Sequence, residues 1–345
     1  MEKVMSLIIR EFDSYDMLEL HLVLFGRSRE IIQPIPDSVN VHKPNWKFKN
    51  ERRSWHTVKT IFFLRKKIKA ISPDTLLSFG EMWNNLVLLS TVGLATPTFV
   101  SDRSKPDKNL GLIQNALRDY LYPRAAGFIA QTEKAAQVAK EQSWNRNIAV
   151  IGNPVSLIEL GSHEENEVLT VGRLIATKNI DRLMEMFQEV NQNGKWKLIV
   201  VGGNAKKKYL LEQYRETVEE KGWEDQIQLL GQKKEVTSFY QRAKIFAFTS
   251  TSEGFPNALA EAMAAGCACI AYDCVAGPSD IIDDGVNGFL IQVGDEVEYK
   301  KKLHLLMEDE ALRKRFGKAA REKMKQFEAG KIARKFYEFI TQPLE

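Results

Sequence analysis

Short apolar runs rich in β-branched residues alternate with segments of helical periodicity along the chain. The runs predict strands at 18–25, 39–42, 75–79, 97–101, 127–131, 148–152, 167–174, 196–203, 227–231, 245–250 and 268–273. The segments between them predict helices near 50–70, 83–93, 109–121, 132–142, 178–193, 205–221, 234–243, 256–266 and 278–283. Strand–helix–strand alternation is typical of parallel sheets with right-handed crossovers. The predicted fold class is therefore α/β.

Near the middle of the chain a polar segment with Pro and Gly, NPVSLIELGSHEEN, separates two groups of strands. We predict a doubly wound, Rossmann-like domain over 1–152, a linker over 153–166 and a second such domain over 167–327. The remaining residues, 328–345, have apolar positions at helical spacing and predict a helix that crosses back onto the first domain. Two such domains would face a central cleft, and a ligand would bind there at the carboxyl ends of the strands.

The composition is that of an ordinary globular protein and argues against several other classes. The 345 residues are 44% hydrophobic and 27% charged, which suits about two domains. The first residues lack the apolar core of a secretory signal, and no run of apolar residues is long enough to predict a membrane-spanning helix. Three clustered cysteines, Cys267, Cys269 and Cys274, have no fourth zinc ligand nearby and indicate buried residues of a reducing compartment. We expect a cytoplasmic protein, with peripheral placement at the inner membrane face as an additional hypothesis.

The net charge of +4 is unevenly spread along the chain. Residues 1–150 hold 22 Lys/Arg and 15 Asp/Glu, and residues 41–70 hold ten cations and one acid. The aromatic residues among these cations are Trp46, Phe48, Trp55, Phe62 and Phe63. A basic stretch with aromatics is suited to an anionic membrane surface or another anionic partner. It is equally suited to a solvated helix whose aromatics lie in the core, and both interpretations stay open.

The stretch TSEGFPNALAEAMAAG, 251–266, predicts a strand-to-helix turn with open amides. Pro256 is well placed in the first helical turn, because its missing donor would be unpaired there anyway. The next amides along the predicted helix belong to Asn257, Ala258 and Leu259. A helix N-terminus offers free donors and partial positive charge, and both favour phosphate.

Two acids and two cations accompany this turn. Glu261 lies about one turn into the predicted helix, where its carboxylate can accept bonds from the adjacent hydroxyls of a ribose. Glu253 lies on the loop before the helix, where it can contact a second polyhydroxylated group. Arg173 and Lys178, in VGRLIATKNIDRL, can neutralise a diphosphate between them. Together these residues predict a nucleotide-sugar site; the rival interpretation is two surface cations and two helix-capping acids.

The spacing from Glu253 to Glu261 resembles the E-x7-E motif of retaining glycosyltransferases with the GT-B fold, in the large family 4. VGRLIATKN is similar to the diphosphate clamp of that family, and GPSDIIDDGVNGFLI and IGNPV resemble two further segments of it. The resemblance covers nearly the whole chain. It implies transfer of a hexose from a nucleotide diphosphate sugar, UDP-linked, with retention and without a metal or other cofactor. The implied acceptor is a glycan or lipid-linked molecule in the biosynthesis of surface polysaccharide, such as lipopolysaccharide or capsule, or of oligosaccharide.

The resemblance also implies a role for each matched residue. Glu261 would bind the donor ribose, Arg173 and Lys178 would hold the diphosphate, and Glu253 would contact the sugar near its anomeric centre. Further implied contacts with the donor are Phe255, Pro256, Asn257, Ala258, Gly231 and Gln232. Positioning and leaving-group stabilisation dominate such chemistry, so no protein nucleophile is assigned.

The chain departs from the family at its first residues. The family usually opens with a strand, a glycine-rich loop and a helix, and EKVMSLI resembles the part just after that loop. The first strand and the loop are therefore missing from the match. Two explanations compete: a start at an internal Met of a longer protein, or a short chain with weak or no activity.

The chain also differs from the family on the acceptor side, where polar residues occupy the position of a histidine. The family often has a His facing the donor, whereas the matching loop SFGEMWNN contains Glu81, Asn84 and Asn85. These three residues and Arg103, a candidate for an acceptor phosphate, are predicted acceptor-side contacts. The alternative is that they are ordinary polar residues of loops and turns.

Four rival functions accompany this prediction. A nicotinamide-dependent oxidoreductase needs a G-x-G-x-x-G turn after a strand, and VVGGNAKKK fails that spacing. A nucleotide-sugar epimerase of the same architecture is not excluded by the fold. A membrane- or nucleic-acid-binding module would use residues 41–70, although we expect no nucleic-acid partner. The fourth rival is an inactive, truncated relative that acts as a binding module.

Overall fold

The computed structural model of the protein describes residues 1–25, 31, 33–47, 50–161, 165–205 and 209–343. It divides into two compact units. Unit 1 consists of Met1–Pro154 and Ala329–Glu345, and unit 2 of Val155–Glu328. The chain therefore passes twice from one unit to the other. Outside the described residues lie two parts of the sequence predictions: residues 162–164 of the linker, and Phe48 of the basic stretch 41–70.

Unit 1 combines short parallel strands with helices. Its elements, numbered in chain order, are α1 (Glu2–Asp13), β1 (His21–Val23), β2 (Asn40–His42), α2 (Arg53–Ile71), β3 (Leu76–Phe79), α3 (Glu81–Thr91), β4 (Thr98–Ser101), α4 (Leu112–Leu121), β5 (Gly127–Ala130), α5 (Glu133–Glu141), β6 (Ile148–Val150) and α13 (Ala329–Thr341). All six predicted strands of the first half are present, each shorter than the apolar run that predicts it. They form two parallel sheets, β1-β2 and β3-β4-β5-β6.

The β1-β2 sheet of unit 1 is joined to the rest of the unit by apolar packing. Val23 and Phe25 pack against a cluster that includes Leu64 of α2 and Val87 of α3. The ring of Phe25 also stacks on that of Trp83 at a centroid distance of 4.6 Å. Burial of these side chains, rather than strand pairing, places β1 next to the helices of unit 1.

Helix α13 is an integral part of the core of unit 1. Its Phe336 ring lies 5.9 Å from that of Phe79, and its Phe339 ring lies 5.4 Å from that of Phe99. A Cβ atom added to Gly127 would lie 2.8 Å from the rings of both Phe339 and Phe99. Because real Cβ atoms do not approach so closely, only glycine fits where α13 crosses β5.

Unit 2 is a six-stranded parallel sheet with helices between its strands. Its elements are β7 (Glu165–Val171), α6 (Ile180–Val190), β8 (Lys197–Val201), α7 (Leu210–Glu220), β9 (Ile227–Leu229), α8 (Thr237–Arg242), β10 (Ala243–Phe248), α9 (Asn257–Ala264), β11 (Ala268–Asp273), α10 (Pro278–Ile281), β12 (Phe289–Gln292), α11 (Glu296–Glu308) and α12 (Glu310–Met324). The strand order is β12-β11-β10-β7-β8-β9. The sheet therefore grows outward from β7 in both directions, and its order reverses between β7 and β10. In open parallel sheets such a switch point is where ligands bind, beyond the carboxyl ends of the strands.

No helix in the described ranges is both long and apolar enough to cross a membrane. The three cysteines of unit 2, Cys267, Cys269 and Cys274, are buried and free. Burial raises the pKa of Cys267 to about 12, so its thiol is protonated at neutral pH.

Candidate functional site

The carboxyl edge of the unit 2 sheet is tied together by backbone contacts between neighbouring loops. Gly172 N, after β7, donates to Val201 O at 3.0 Å, and Gly202 N, after β8, donates to Gly231 O at 2.9 Å. A Cβ atom added to Gly202 would lie 1.7 Å from Gly172 O. The absence of side chains therefore lets the ends of β7 and β8 approach. The next residues after β9 include Gly231 and Gln232, predicted contacts of the donor, which lie beside these strand ends.

An ion pair occupies the switch point between β7 and β10. The Lys178 ammonium contacts Glu253 Oε1, and the two side chains are only 19% and 15% exposed. Ser250 Oγ donates to the same oxygen at 2.6 Å. Glu253 Oε2 has no hydrogen-bond partner among the described residues. The structure thus brings together the predicted residues Lys178 and Glu253, and leaves one oxygen of the acid available.

The loop that carries Lys178 is fastened to the end of β10 by hydroxyl and amide donors. Thr249 Oγ1 donates to Lys178 O at 2.8 Å, and Thr251 N donates to Thr177 O at 2.8 Å. Lys178 and Glu253 therefore have a fixed separation before any ligand binds. Sequence reasoning missed Thr249 and Ser250, although the run of hydroxyl residues TSTS after an apolar strand was a usable signal.

Helix α9 begins one residue later than predicted, and this changes the set of open amides. Pro256 precedes the helix with φ −84° and ψ 71°, and the helix starts at Asn257. Asn257 N donates to Phe255 O at 3.0 Å, so it is not one of the open donors. The amides of Ala258 and Leu259 have no backbone acceptor in the described part of the chain. The phosphate-ready end of α9 therefore offers two amides instead of the predicted three.

The residues that follow β11 hold the start of α9 in place. Gly277 has φ 106°, and a Cβ atom added there would lie 2.3 Å from Pro256 Cδ. Only glycine combines this backbone conformation with so close an approach. Burial, followed by the charge of Glu253, raises the pKa of the nearby Cys274 thiol to about 11. The loop after β11 thus lies within the electrostatic reach of Glu253.

Glu261 lies on the second turn of α9 and has a buried partner. Tyr240 OH donates to Glu261 Oε2 at 3.1 Å. Tyr240 is fully buried, and this burial, with the nearby Glu261, raises the pKa of its phenol well above the ordinary value. The phenol therefore remains a neutral donor and orients the carboxylate. Sequence reasoning missed Tyr240, because nothing in its local pattern distinguishes it from an ordinary core residue.

Arg173 differs from the other predicted residues in having no fixed partner. Its side chain is exposed, and it forms no ion pair with any described residue. It follows Gly172, where an added Cβ atom would lie 3.5 Å from Lys178 Cε. Arg173 and Lys178 therefore both follow the carboxyl end of β7. Lys178 is paired with Glu253, whereas Arg173 is open to solvent.

In unit 1 the fold itself uses the side chains of Glu81 and Asn84. Glu81 Oε1 accepts bonds from Arg103 N at 3.1 Å and from Ser104 N at 2.7 Å, which fixes the loop after β4. Asn84 Nδ2 donates to Asp102 Oδ1 at 3.0 Å within the interior. The fully buried Asn84 and the half-buried loop residues therefore form one internal network.

The other two predicted acceptor-side residues have different environments. Asn85 is buried and donates to the backbone oxygen of Gln114 at 2.9 Å. The guanidinium of Arg103 stacks over the Phe79 ring at 4.5 Å, and its Nη2 has no described partner. Arg103 is thus the member of this group with an uncommitted donor.

The family described as "Glycosyl transferases group 1" matches residues 158–323. This part of the chain resembles a glycosyltransferase group 1 domain. The domain lies within unit 2 and contains the ion pair of Lys178 and Glu253, together with Glu261.

Two curated relatives of this glycosyltransferase extend beyond that domain. The chain is 26% identical over 304 residues to the amylovoran biosynthesis glycosyltransferase AmsD of Erwinia amylovora, covering 85% of this chain and 82% of that protein. It is 26% identical over 293 residues to GalNAc-alpha-(1->4)-GalNAc-alpha-(1->3)-diNAcBac-PP-undecaprenol alpha-1,4-N-acetyl-D-galactosaminyltransferase of Campylobacter jejuni, covering 82% and 79%. The prediction of a glycosyltransferase is confirmed, and nothing in these comparisons supports the epimerase.

Solved structures confirm the predicted GT-B fold. The lipopolysaccharide outer core galactosyltransferase WaaB, in its apo form, has a TM-score of 0.78 at 21% identity, covering 98% of this chain and 94% of its own. Anabaena HepE, in complex with UDP and glucose, has a TM-score of 0.78 at 17% identity with the same coverage. TarM has a TM-score of 0.70 at 20% identity, and this chain spans 58% of its length. At such identities the likeness concerns the fold.

Proposed function

We propose that this glycosyltransferase is a retaining hexosyltransferase that uses a UDP-sugar and a glycan or lipid-linked acceptor. The UDP and glucose in HepE support the donor class. The undecaprenol-linked substrate in the name of the Campylobacter relative, and the polysaccharide in the name of AmsD, support the acceptor class. The reaction would serve surface polysaccharide or lipid-linked oligosaccharide biosynthesis, from the cytoplasm at the inner face of a membrane.

The observation that carries this proposal is the ion pair at the switch point of the unit 2 sheet. When the bond from the anomeric carbon to the diphosphate breaks, negative charge grows on the diphosphate. Lys178 would bind the diphosphate and neutralise part of that charge. Arg173, which is open to solvent, would bind it as a forked hydrogen-bond donor. Before binding, Glu253 holds the Lys178 ammonium in position. The site is thus preorganised for a leaving group at little reorganisation cost.

The remaining groups of the site would bind the other parts of the donor. Glu253 Oε2, which has no described partner, would accept a hydroxyl of the sugar near its anomeric centre. The amides of Ala258 and Leu259 would donate to phosphate oxygens. Glu261, oriented by Tyr240, would accept the ribose hydroxyls. The base would lie along the backbone after β9, at Gly231 and Gln232.

The acceptor would contact unit 1 near Arg103, whose guanidinium lies over Phe79 and whose Nη2 is buried without a described partner. We propose that Glu81, Asn84 and Asn85 shape this strand end, because their side chains form interior hydrogen bonds. No divalent metal enters the proposed reaction, and an excess of chelator should leave turnover unchanged. Turnover that is lost to the chelator and restored by Mg²⁺ would contradict that part of the proposal.

The donor site is tested by calorimetry with a panel of UDP- and GDP-sugars and by nucleotide release. Glu261→Ala and Arg173→Ala should each weaken donor binding by roughly tenfold or more, since each removes a charged hydrogen-bond partner. Arg182→Ala is the matched control, because Arg182 is a surface arginine of the same unit that pairs with Glu296. Unchanged affinity in both site variants would reject the site. NMR of the product should show the anomeric configuration of the donor, and an inverted product would reject retention.

A further inference from the structure

Helix α2 has two different apolar faces. One face is buried in unit 1 and consists of residues four apart: His56, Thr60, Leu64 and Ile68. The opposite face is exposed, yet it carries Trp55, Val58 and Phe62, which are 63%, 44% and 68% exposed. The spacing of three and four residues places these side chains on one side of the helix. Isolated exposed apolar residues are ordinary, but an aligned Trp, Val and Phe form a patch that needs a partner.

Lysines complete the same exposed face. Lys59, Lys66 and Lys69 are exposed, and at about 100° per residue they lie with the apolar three within an arc of about 100°. The nineteen residues of α2 contain six cations and no acid. We call Trp55, Val58, Lys59, Phe62, Lys66 and Lys69 the α2 face. Its N-terminal part carries the three apolar side chains together with Lys59, and its C-terminal part is cationic.

One further cation of α2 belongs to the fold rather than to this surface. Arg65 Nη1 donates to Ser90 O at 3.0 Å and to Val92 O at 2.7 Å. These bonds attach α2 to the C-terminal end of α3. Neutralising Arg65 would therefore disturb the packing of unit 1, and a test of the surface must leave it unchanged.

We propose that the α2 face rests on an anionic lipid bilayer. Lysines attract phosphate headgroups, while Trp and Phe side chains are favoured at the boundary between headgroups and acyl chains. A helix that lies in this plane buries its apolar side to a shallow depth and keeps its cations at the phosphates. The opposite face holds α2 on unit 1, so the helix would be a fixed docking surface rather than a loose anchor.

The apolar side chains aligned with the lysines select anionic lipid over the other partners of a basic helix. A duplex nucleic acid would engage the lysines through its phosphates and would leave the aligned valine and the two aromatic side chains in water. A protein partner of matching shape would be bound in the absence of lipid. The proposal rests on the proposed function in one respect, namely that a lipid-linked acceptor gives the enzyme a reason to work at a membrane.

The test is flotation of the full chain with vesicles of phosphatidylcholine, with or without 30% phosphatidylglycerol. Two variants are compared with the wild type: Lys59→Gln/Lys66→Gln/Lys69→Gln and Trp55→Ser/Phe62→Ser. The matched control, Lys301→Gln/Lys314→Gln/Lys318→Gln, removes the same charge from exposed positions of unit 2. We expect binding to the anionic vesicles, a loss of about tenfold or more in each α2 variant, and no loss in the control.

Three outcomes would overturn the proposal. The first is equal recruitment of the wild type and both α2 variants. The second is a loss confined to the lysine variant together with salt-sensitive binding to RNA, which would indicate a polyanion site. The third is saturable capture of a protein partner by the α2 face without recruitment to vesicles.

The docking surface and the donor site can fail independently. Donor binding measured without lipid should be the same in both α2 variants as in the wild type, whereas Glu261→Ala should lose it. Conversely, Glu261→Ala should float with anionic vesicles as the wild type does. Loss of donor binding in an α2 variant would mean that the substitutions damage the fold; retained folding is checked by thermal unfolding of the same samples.

Discussion

At the scale of single residues, Glu253 is held from two sides by Lys178 and by Ser250. Both contacts fall on one carboxylate oxygen, so the direction of the other is fixed. A hydrogen bond to a charged group contributes about 1.5–3 kcal/mol. Ser250 is therefore a positioning residue whose loss should be measurable although it never contacts the donor in our proposal.

Ser250→Ala should lower kcat by roughly tenfold or more, because Glu253 Oε2 loses its fixed direction. The KM for the donor should change less, since Lys178, Arg173 and the α9 amides are untouched. The measurement is steady-state nucleotide release with a soluble acceptor. Ser252→Ala is the matched control, two positions along the same loop. Identical kinetics in the two variants would assign Ser250 to the fold alone.

Asp102 gives unit 1 a pH-dependent stability. Burial, and then the charge of Glu81, raise its pKa from the ordinary 3.8 to about 7, against a hydrogen bond from Tyr122. The folded state therefore holds this proton more tightly than the unfolded state. Ionising the buried Asp102 lowers the free energy of unfolding. This loss is absent below the ordinary pKa and grows as pH rises from about 4 to about 7.

Asp102→Asn should flatten that dependence, because the amide oxygen still accepts from Tyr122 but never ionises. Relative to the variant, the wild type should lose up to about 4 kcal/mol of unfolding free energy between pH 4 and pH 8. Urea unfolding at several pH values measures the difference. Parallel profiles for the two proteins would show that Asp102 does not titrate in this window.

The candidate site residues that the sequence could place together are those that share one local segment. Glu253 and Glu261 belong to one turn and helix, so their spacing alone suggested a common site. Tyr240 reaches Glu261 across 21 positions of the chain, and Asn84 reaches Tyr122 across 38. Such partners depend on which residues the packed elements bury, and no local pattern contains that information.

At the scale of elements, the start of α9 depends on the loop after β11. Gly277 brings that loop against Pro256, directly before the two open amides. A side chain at Gly277 would have to displace either the proline or the loop. The geometry of the phosphate-ready helix end is therefore set by a residue 20 positions downstream.

Gly277→Ala should weaken donor binding and destabilise the protein by about 1–3 kcal/mol, through positive-φ strain and overpacking. Gly285→Ala separates the two causes: Gly285 has φ +72°, but nothing lies within 4 Å of an added Cβ atom. The Gly285→Ala control should be destabilised by positive-φ strain but should keep its donor affinity. Calorimetry and urea unfolding measure both quantities, and equal donor affinities in the two variants would refute the role of Gly277.

Most elements were visible in the sequence, and two that were not, β12 and α11, explain why. Strand β12 has four residues at the edge of the sheet, too few for a pattern of alternation to be recognised. Helix α11 buries Tyr299, Leu303 and Leu306 at helical spacing, but three successive lysines, 300–302, obscure that pattern. Both elements pack on β11, and this tertiary packing rather than a local pattern determines that they form.

At the scale of the whole molecule, unit 1 is built from two distant parts of the chain. Helix α13 covers β3, β4 and β5 through Phe336 and Phe339. The strand pattern predicted the strands of unit 1, and the helical spacing predicted α13. The glycine contact at Gly127, which fits the two together, could not be predicted because it depends on the crossing point of helix and strand.

Phe336→Ala should destabilise unit 1 by about 3–5 kcal/mol, because it leaves a cavity beside Phe79. Hydrogen exchange should show lost protection in residues 1–154 and little change in residues 155–328. The control is Leu305→Ala, at a position of unit 2 that is 40% exposed. It should change neither the stability nor the hydrogen-exchange protection. Uniform loss of protection in both units would mean that they unfold as one.

The discontinuity of unit 1 also governs how the protein emerges from the ribosome. The strands that carry Phe79, Phe99 and Gly127 are synthesised before unit 2, whereas their covering helix follows only after all of unit 2. At about 5–20 residues per second, the delay from Gly127 to the start of α13 lasts roughly 10–40 s. Unit 2 can become compact in that interval while one apolar flank of unit 1 remains bare. Shielding of these strands therefore depends on translation as far as α13, which makes the nascent chain a natural client for chaperones.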